Sequence, residues 1–363
     1  MSRFDAMAEA LEFRFRDGPT APWSDAEFER RALDAFGHQF EACAPYGAFC
    51  ARRGATPAEV ATWEEVPAVP ATAFKHLDLD SGGGRAPEAI FRTSGTTHGT
   101  TARGRHHVPR LELYRAACLG PFGAAVVPDG GRLPFVSLIP APPAAPDSSL
   151  SFMVGAVADR FASETHWVVD AEGRWTDDVE DLFAARRAAG EPVALLGTAL
   201  AFVHLLERAG PGSLALPEGS RVMETGGFKG VGRSTTREEL HGRIAMATGI
   251  APARIVNEYG MTELLSQLYE PVLTEGLAVK GWHAAPPWLR VRALDPSTLR
   301  GLPDGQEGIL SFFDLANLGS ICHVMTEDVG SVREGRVRLR GRTLGAEPRG
   351  CSRAMDELMG TVS

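Results

Sequence analysis

At 363 residues, 44% hydrophobic and 23% charged, the chain has the make-up of an ordinary globular protein with room for a large α/β body and an appendage. Its formal net charge of -9 argues against a nucleic-acid-binding surface. The five cysteines, Cys43, Cys50, Cys118, Cys322 and Cys351, form no Cys-x-x-Cys pair, which argues against a zinc cage or disulfide framework and for a reducing compartment. The opening MSRFDAMAEALEFRFRDG carries acids where a signal peptide has an apolar core, and the longest apolar run, 193–206, is too short to span a bilayer. A cytoplasmic protein without a membrane span is the expectation.

Residues 1–60 read as a helical lead-in. Ser24-Asp-Ala-Glu27 has the form of a capping box, and Phe28, Leu33, Phe36 and Phe40 follow at helical spacing. Thr56 is positioned to cap a second short helix over 57–66. His38, Cys43 and Cys50 read as core or surface residues rather than ligands. An extended, proline-punctuated approach (66–79) leads to a strand, AIFRTSG, which enters a loop rich in Gly, Ser and Thr. An extended segment follows, and a helix is expected from about Pro109. Beyond it come a buried strand over 132–141, a helix capped by Asp147 or a neighbouring Ser, and a helix ended by Gly190. A strand and helix over 193–208, a strand RVMET entering a glycine turn, a capped helix over 234–250 and a strand ARIVNEYG complete the series. The next segment, MTELLSQLY, reads as a helix. Repeated strand–helix alternation implies a mainly parallel sheet covered by helices. From about Lys280 the pattern changes to short strands separated by Asp-Pro, Pro-Asp-Gly and Glu-Gly turns. The expected organisation is a lead-in at 1–60, an α/β core at 61–280, a β-rich subdomain at 281–340 and a short tail at 341–363 holding Cys351.

Four stretches carry candidate chemistry. Within 93–104, Thr93, Ser94, Gly95, Thr96, Thr97 and Gly99 offer backbone N–H groups, hydroxyl donors and close backbone approach, with no acidic side chain. These properties suit a polyphosphate and equally suit a plain flexible connection. The spacing Gly99–Gly104 mimics a Walker loop, yet Arg105-His106 stand where Lys-Ser/Thr belong and a strand follows where a helix belongs. The second stretch is Glu224-Thr-Gly-Gly-Phe-Lys229, the third Asn257-Glu-Tyr-Gly-Met-Thr-Glu263, and the fourth runs from Asp314 to Met325-Thr-Glu-Asp328. Ligands of open α/β sheets bind beyond the carboxyl ends of strands, so the first three are candidates for one crevice.

Together these stretches resemble the adenylate-forming superfamily of acyl-CoA synthetases, luciferases and adenylation domains. That family's phosphate loop, roughly [ST]SGTTG, matches Thr93–Thr97 with His98 before Gly99, and its Y-G-x-T-E motif matches Tyr259–Glu263 without a gap. The narrower resemblance is to the acyl-protein synthetase (LuxE-type) family, carried by VPAVPATAFKHLDL and by the ending GRTLGAEPRGCSRAMDEL. The resemblance covers roughly residues 60–360 and is weakest before 60 and around 140–220. It implies an α/β adenylate-forming large domain, parallel sheets with flanking helices plus a small β-rich subdomain, with the mobile C-terminal domain much reduced or absent.

The resemblance also implies roles. ATP and Mg2+ are the expected cofactors and a carboxylic acid, fatty by resemblance, the substrate. Thr93, Ser94, Gly95, Thr96, Thr97, Gly99 and Arg103 fall to the phosphates, and Thr262 to the α-phosphate. Glu263 falls to the metal; Gly226, Gly227, Asn257 and Tyr259 fall to adenine and Asp328 to the ribose. Cys351 takes the place of the cysteine that receives the acyl group, for passage to an acceptor protein such as a reductase or carrier. Where typical ligases carry a lysine after the phosphate loop, this chain has Arg103 and Arg105, and Lys229 is a further candidate. An acid–CoA ligase of the phenylacetate type and a catalytically idle nucleotide-binding protein are the alternatives. Cys322 reads as core.

Overall fold

The computed structural model describes the chain except residues 94–102, 177, 211, 228–235, 343–348 and 361–363, and it does not describe the side chains of 349–353. The chain divides into two compact units, Met1–Gly120 with Met261–Gln267 and Ala284–Ser363, and Pro121–Gly260 with Leu268–His283.

The second unit holds the parallel sheet. Its strands lie in the order Leu268–Tyr269, Ile255–Tyr259, Arg221–Thr225, Ala194–Thr198, Leu133–Ser137, Ala162–Trp167, all parallel except the first, which runs antiparallel to its neighbour. The central strands are buried along almost their whole length, as parallel strands covered on both faces must be. Val136, Leu195, Val222 and Ile255 from four successive strands pack against Phe183, Phe202, Leu240 and Ile244 of the covering helices. Each such side chain contributes about 1.5–3 kcal/mol on burial. The helices begin and end where their cap residues dictate. Ser148 accepts from the N–H of Ser151 ahead of Ser149–Phe161, Thr236 forms a full capping box with Glu239 ahead of Arg237–Thr248, and Gly190 adopts φ 67° after Val179–Ala189. The edge strand Ala162–Trp167 was not expected. Its residues ASETHW are half exposed and carry no buried alternation to read.

The first unit carries the helices Arg3–Phe15, Asp25–Ala42 and Ala44–Arg52, a two-stranded hairpin and an antiparallel sheet. The expected helix over 57–66 is instead a turn followed by the 3-10 helix Trp63–Glu65; Thr56 spends its hydroxyl on Glu59 rather than capping a helix. The sheet runs Leu289–Leu294, Glu307–Asp314, His323–Arg333, Arg336–Arg342, with Val69–Pro70 added parallel to His323–Arg333. A bulge at Val329/Gly330 brings Gly330 against its partner strand so closely that a Cβ would sit 2.4 Å from the Arg338 carbonyl oxygen. The helix Arg349–Met359 follows and buries Ala354 among Leu294, Ile309 and Met325. Among the described residues no helix is long and apolar enough to cross a membrane.

Candidate active site

In the first unit the hairpin Ala89–Arg92 and Arg105–Val108 closes the base of the Gly/Ser/Thr loop. The N–H of Thr93 donates to the Gly104 carbonyl at 3.0 Å, and the N–H of Gly104 donates to Thr93 Oγ1 at 2.8 Å. Ser94, Gly95, Thr96, Thr97 and Gly99 lie outside the described residues, as does Lys229. Arg103 folds back on the hairpin, donating through Nε to the Thr93 carbonyl at 2.7 Å and through Nη2 to that of Arg92 at 3.3 Å. Arg105 pairs with Asp78 at 2.9 Å. Lys75 approaches from the neighbouring 3-10 helix, its Cγ 3.6 Å from where a Gly104 Cβ would stand.

The segment with Thr262 and Glu263 is not the helix that its apolar spacing suggests. Residues 261–267 form a turn whose main chain is bonded to distant side chains. His106 Nδ1 lies 2.7 Å from the Thr262 carbonyl oxygen, and Asn317 Nδ2 donates to the Glu263 carbonyl at 2.8 Å. The N–H of Leu265 donates to Asn317 Oδ1 at 3.0 Å, and Ser266 gives its N–H and its hydroxyl to the two carboxylate oxygens of Asp314, at 2.9 and 2.7 Å. Leu264 and Leu265 are buried. Two amides and two carbonyls that a helix would pair internally are thus claimed from outside, and the helical alternative loses its bonds. Burial pushes the Asp314 carboxyl up to about 6, against the bonds from Ser266, Ala316 and Leu265. Asp328 stands on His323–Arg333 opposite Arg342, whose Nε donates to Asp328 Oδ1 at 3.0 Å. Cys351 is the third residue of the helix Arg349–Met359.

In the second unit, Gly226 takes φ 83° just past Arg221–Thr225, and among the described residues no heavy atom lies within 4 Å of a Cβ placed on it or on Gly227. Asn257 is fully buried and its carboxamide is spent within the protein. Nδ2 donates to the Glu224 carbonyl at 3.1 Å and to Glu224 Oε2 at 2.7 Å, and Oδ1 accepts from His283 Nε2 at 2.7 Å. His241 Nε2 lies 3.1 Å from the same Glu224 oxygen. Tyr259, at the end of its strand, is half-buried.

Beside this network Glu258 is buried and accepts from the Thr225 hydroxyl. Burial pushes its carboxyl from 4.5 up to about 7, opposed by the Thr225 bond and helped by the charge of Glu224. The folded state therefore holds this proton more tightly than the unfolded chain does. The associated stability is complete below the unfolded value and is lost as pH rises through about 7, a difference of about 3 kcal/mol. Glu258→Gln, which cannot ionise, is expected to gain melting temperature relative to the parent between about pH 5 and about pH 8. Thermal melts at the two pH values check this, and a difference that stays constant with pH contradicts it.

His106 and Asn317 carry no motif and were not singled out in the sequence. The available signal was a polar residue inside an apolar run, Asn317 between Leu315 and Ile321, and a histidine pair in the strand leaving the loop. The four cysteines whose side chains are described behave as core: Cys43, Cys50, Cys118 and Cys322 are all buried, and burial pushes their thiols up, to about 11 for Cys43 and about 12 for Cys50 and Cys118. Such thiols are poor nucleophiles.

Comparison with known proteins places this architecture. The family model described as acyl-protein synthetase, LuxE, matches residues 22–360. Over 52 residues the chain is 46% identical to the long-chain-fatty-acid–luciferin-component ligase of Vibrio harveyi, a stretch that spans 14% of this chain and 14% of that protein. Among solved structures, an open conformation of 2-hydroxyisobutyryl-CoA ligase aligns with TM-score 0.61 at 14% identity, covering 87% of this chain and 75% of that one. ATP-bound MatB from Rhodopseudomonas palustris aligns with TM-score 0.51 at 17% identity, covering 82% of this chain and 56% of that one. At such identities the likeness is one of fold. It bears out the expected α/β fold of adenylate-forming enzymes, and the family match over nearly the whole chain carries the conclusion that this protein belongs to the LuxE acyl-protein synthetase family.

Proposed function

We propose that the chain is an ATP- and Mg2+-dependent acid–thiol ligase that activates a carboxylic acid, a long-chain fatty acid by analogy with the named relative, and passes the acyl group to Cys351. In the first step a carboxylate oxygen attacks the α-phosphorus of ATP, the bond to the β-phosphate breaks, and pyrophosphate leaves. In the second the Cys351 thiolate attacks the acyl carbon and AMP leaves, giving a thioester. An acceptor protein then takes the acyl group.

The observation that carries this reading is the turn at 261–267. It presents Thr262 and Glu263 from a main chain bonded by His106, Asn317 and Asp314, and His106 belongs to the hairpin that closes the phosphate-loop sequence. Bringing negative charge onto an anionic phosphorus requires donors that are already oriented, since none can then be gained by reorganisation. Thr262 donates to the α-phosphate in this reading, and Thr93, Ser94, Gly95, Thr96, Thr97 and Gly99 hold the outer phosphates. Glu263, a hard oxygen donor only 7% exposed, would hold Mg2+, which would supply positive charge against the phosphates. Arg103 braces the loop base, and the Lys75 side-chain stem passes Gly104 at the same neck. Gly226, Gly227 and Tyr259 serve the adenine, with Asn257 holding the strand ends beneath them, and Asp328 serves the ribose.

ATP–pyrophosphate exchange across a panel of fatty and aromatic acids tests the proposal. Exchange dependent on at least one fatty acid is expected, and no exchange with any acid would overturn it.

A further inference from the structure

We infer that His106 is a positioning residue of the proposed site, holding the main chain at Thr262–Glu263 to the hairpin that carries the Ser/Thr/Gly loop. The catalytic consequence rests on the adenylating reading; the positioning itself does not.

The imidazole is 1% exposed and bonded at both nitrogens, with Nδ1 2.7 Å from the Thr262 carbonyl oxygen and Nε2 2.7 Å from Ser320 Oγ. A carbonyl only accepts, so Nδ1 carries the proton. Burial pushes the ring's pKa down to about 4, so near neutral pH the ring is uncharged and Nε2 is bare. Nε2 then accepts from the Ser320 hydroxyl, whose other acceptor, the Asn317 carbonyl, is farther away at 3.4 Å. Ser320 is itself fixed: its N–H donates to the Asn317 carbonyl at 2.8 Å, and its own carbonyl accepts from the Ser81 hydroxyl at 2.5 Å. The Phe74 ring stands edge-on to the imidazole at 5.4 Å between centroids and sets its plane. Tautomer, plane and both partners are thus determined by the surroundings.

The consequence lies in the direction of each bond. Asn317 grips the Glu263 carbonyl from the 3-10 helix Leu315–Gly319, while His106 grips the preceding carbonyl from Arg105–Val108. His106 faces Phe91 across the hairpin, one pair in from Arg92 and Arg105 at the loop base. A shift of the hairpin is therefore transmitted to the Thr262 carbonyl, and the two phosphate-handling segments keep a common register. A buried carbonyl stripped of its donor would pull the turn away from this arrangement.

Three substitutions separate this role from simple packing. In His106→Asn the side-chain amide falls near the position of Nδ1–H and preserves the donor. In His106→Gln the amide reaches toward the Nε2 side, and in His106→Leu volume is kept with no donor. Hydrogen–deuterium exchange of the peptide spanning 261–267 is expected to accelerate about tenfold in the Leu and Gln variants and to stay within about threefold of the parent in the Asn variant. In ATP–pyrophosphate exchange the Mg2+ concentration for half-maximal rate should rise about tenfold for Leu and Gln with KM for the acid unchanged, and Asn should restore it. The 15N spectrum of histidine-labelled parent protein should show the Nδ1–H tautomer for His106. Unchanged amide exchange in the Leu variant, equal behaviour of Asn and Gln, or the opposite tautomer would each overturn the inference. If the parent catalyses no exchange with any acid, the adenylating reading fails, while amide exchange and the tautomer still decide the positioning.

Discussion

Glu263→Gln is expected to lower ATP–pyrophosphate exchange by about a hundredfold or more, with KM for the acid little changed. The substitution keeps shape, removes the charge and turns one acceptor oxygen into an NH2 donor. The fold around it should survive, because the turn is held through main-chain groups: the Glu263 carbonyl by Asn317, the Leu265 amide by Asn317 and the Ser266 amide by Asp314. In the proposed site Glu263 would hold Mg2+, whose charge would count most as negative charge builds in the transition state, so the loss should fall on the rate rather than on acid binding. A purely local account, in which an acid favours the first turn of a helix, does not apply, since no helix begins at this position. Exchange rates across ATP, Mg2+ and acid concentrations, with melting temperature as a control for folding, measure the effect. Exchange within about threefold of the parent would remove Glu263 from the metal site.

The second large effect concerns the thiol. Cys351→Ala is expected to reduce the covalent acyl adduct to background, while pyrophosphate exchange, the half-reaction that precedes thiol attack, persists. The argument is one of reactivity. Thiolates rather than thiols attack acyl groups, and burial pushes the thiols of Cys43, Cys50, Cys118 and Cys322 above their ordinary range. Cys351 stands in the first turn of Arg349–Met359, between Arg349 and Arg353 in sequence, and is the cysteine that the proposed function makes the acceptor. That helix is seated by Ala354 and Leu358, and by Arg53, which pairs with Glu357 at 2.6 Å. Intact-mass spectrometry after incubation with ATP, Mg2+ and a fatty acid, followed by hydroxylamine, reads the thioester directly. An adduct of equal yield in the Ala variant would place the acceptor elsewhere, and coenzyme A thioester formed without any adduct would favour the acid–CoA ligase alternative.

The parallel strands were legible because strands buried on both faces become continuous apolar runs between Gly and Pro. VALLG is such a run, whereas RVMET, which carries Arg221 and Glu224, is read as a strand from its place before a glycine turn. Helix ends were legible for a similar local reason: Thr236 and Glu239 satisfy each other's backbone amides, and Gly190 adopts a left-handed conformation without strain. The segment MTELLSQLY departs from its helical spacing for a non-local reason. Its spacing suits a helix, but the amides of Leu265 and Ser266 are taken by Asn317 and Asp314, about fifty residues away in the chain. No propensity records a competing acceptor that distant.

The motifs themselves, TSGTT, YGMTE and the cysteine near the C-terminus, were complete in the sequence, and with them the family. The chemistry proposed for them needs particular residue types at short spacing, and short spacing is what a sequence displays. Only the tertiary structure decided which side chains support them. It spends the Asn257 carboxamide on Glu224 and His283, turns Arg103 back onto its own hairpin, and makes His106 the grip on Thr262. It also decides which thiols are inert. Burial and the identity of a hydrogen-bond partner are properties of residues far apart in the chain, and they exist only once the chain has folded.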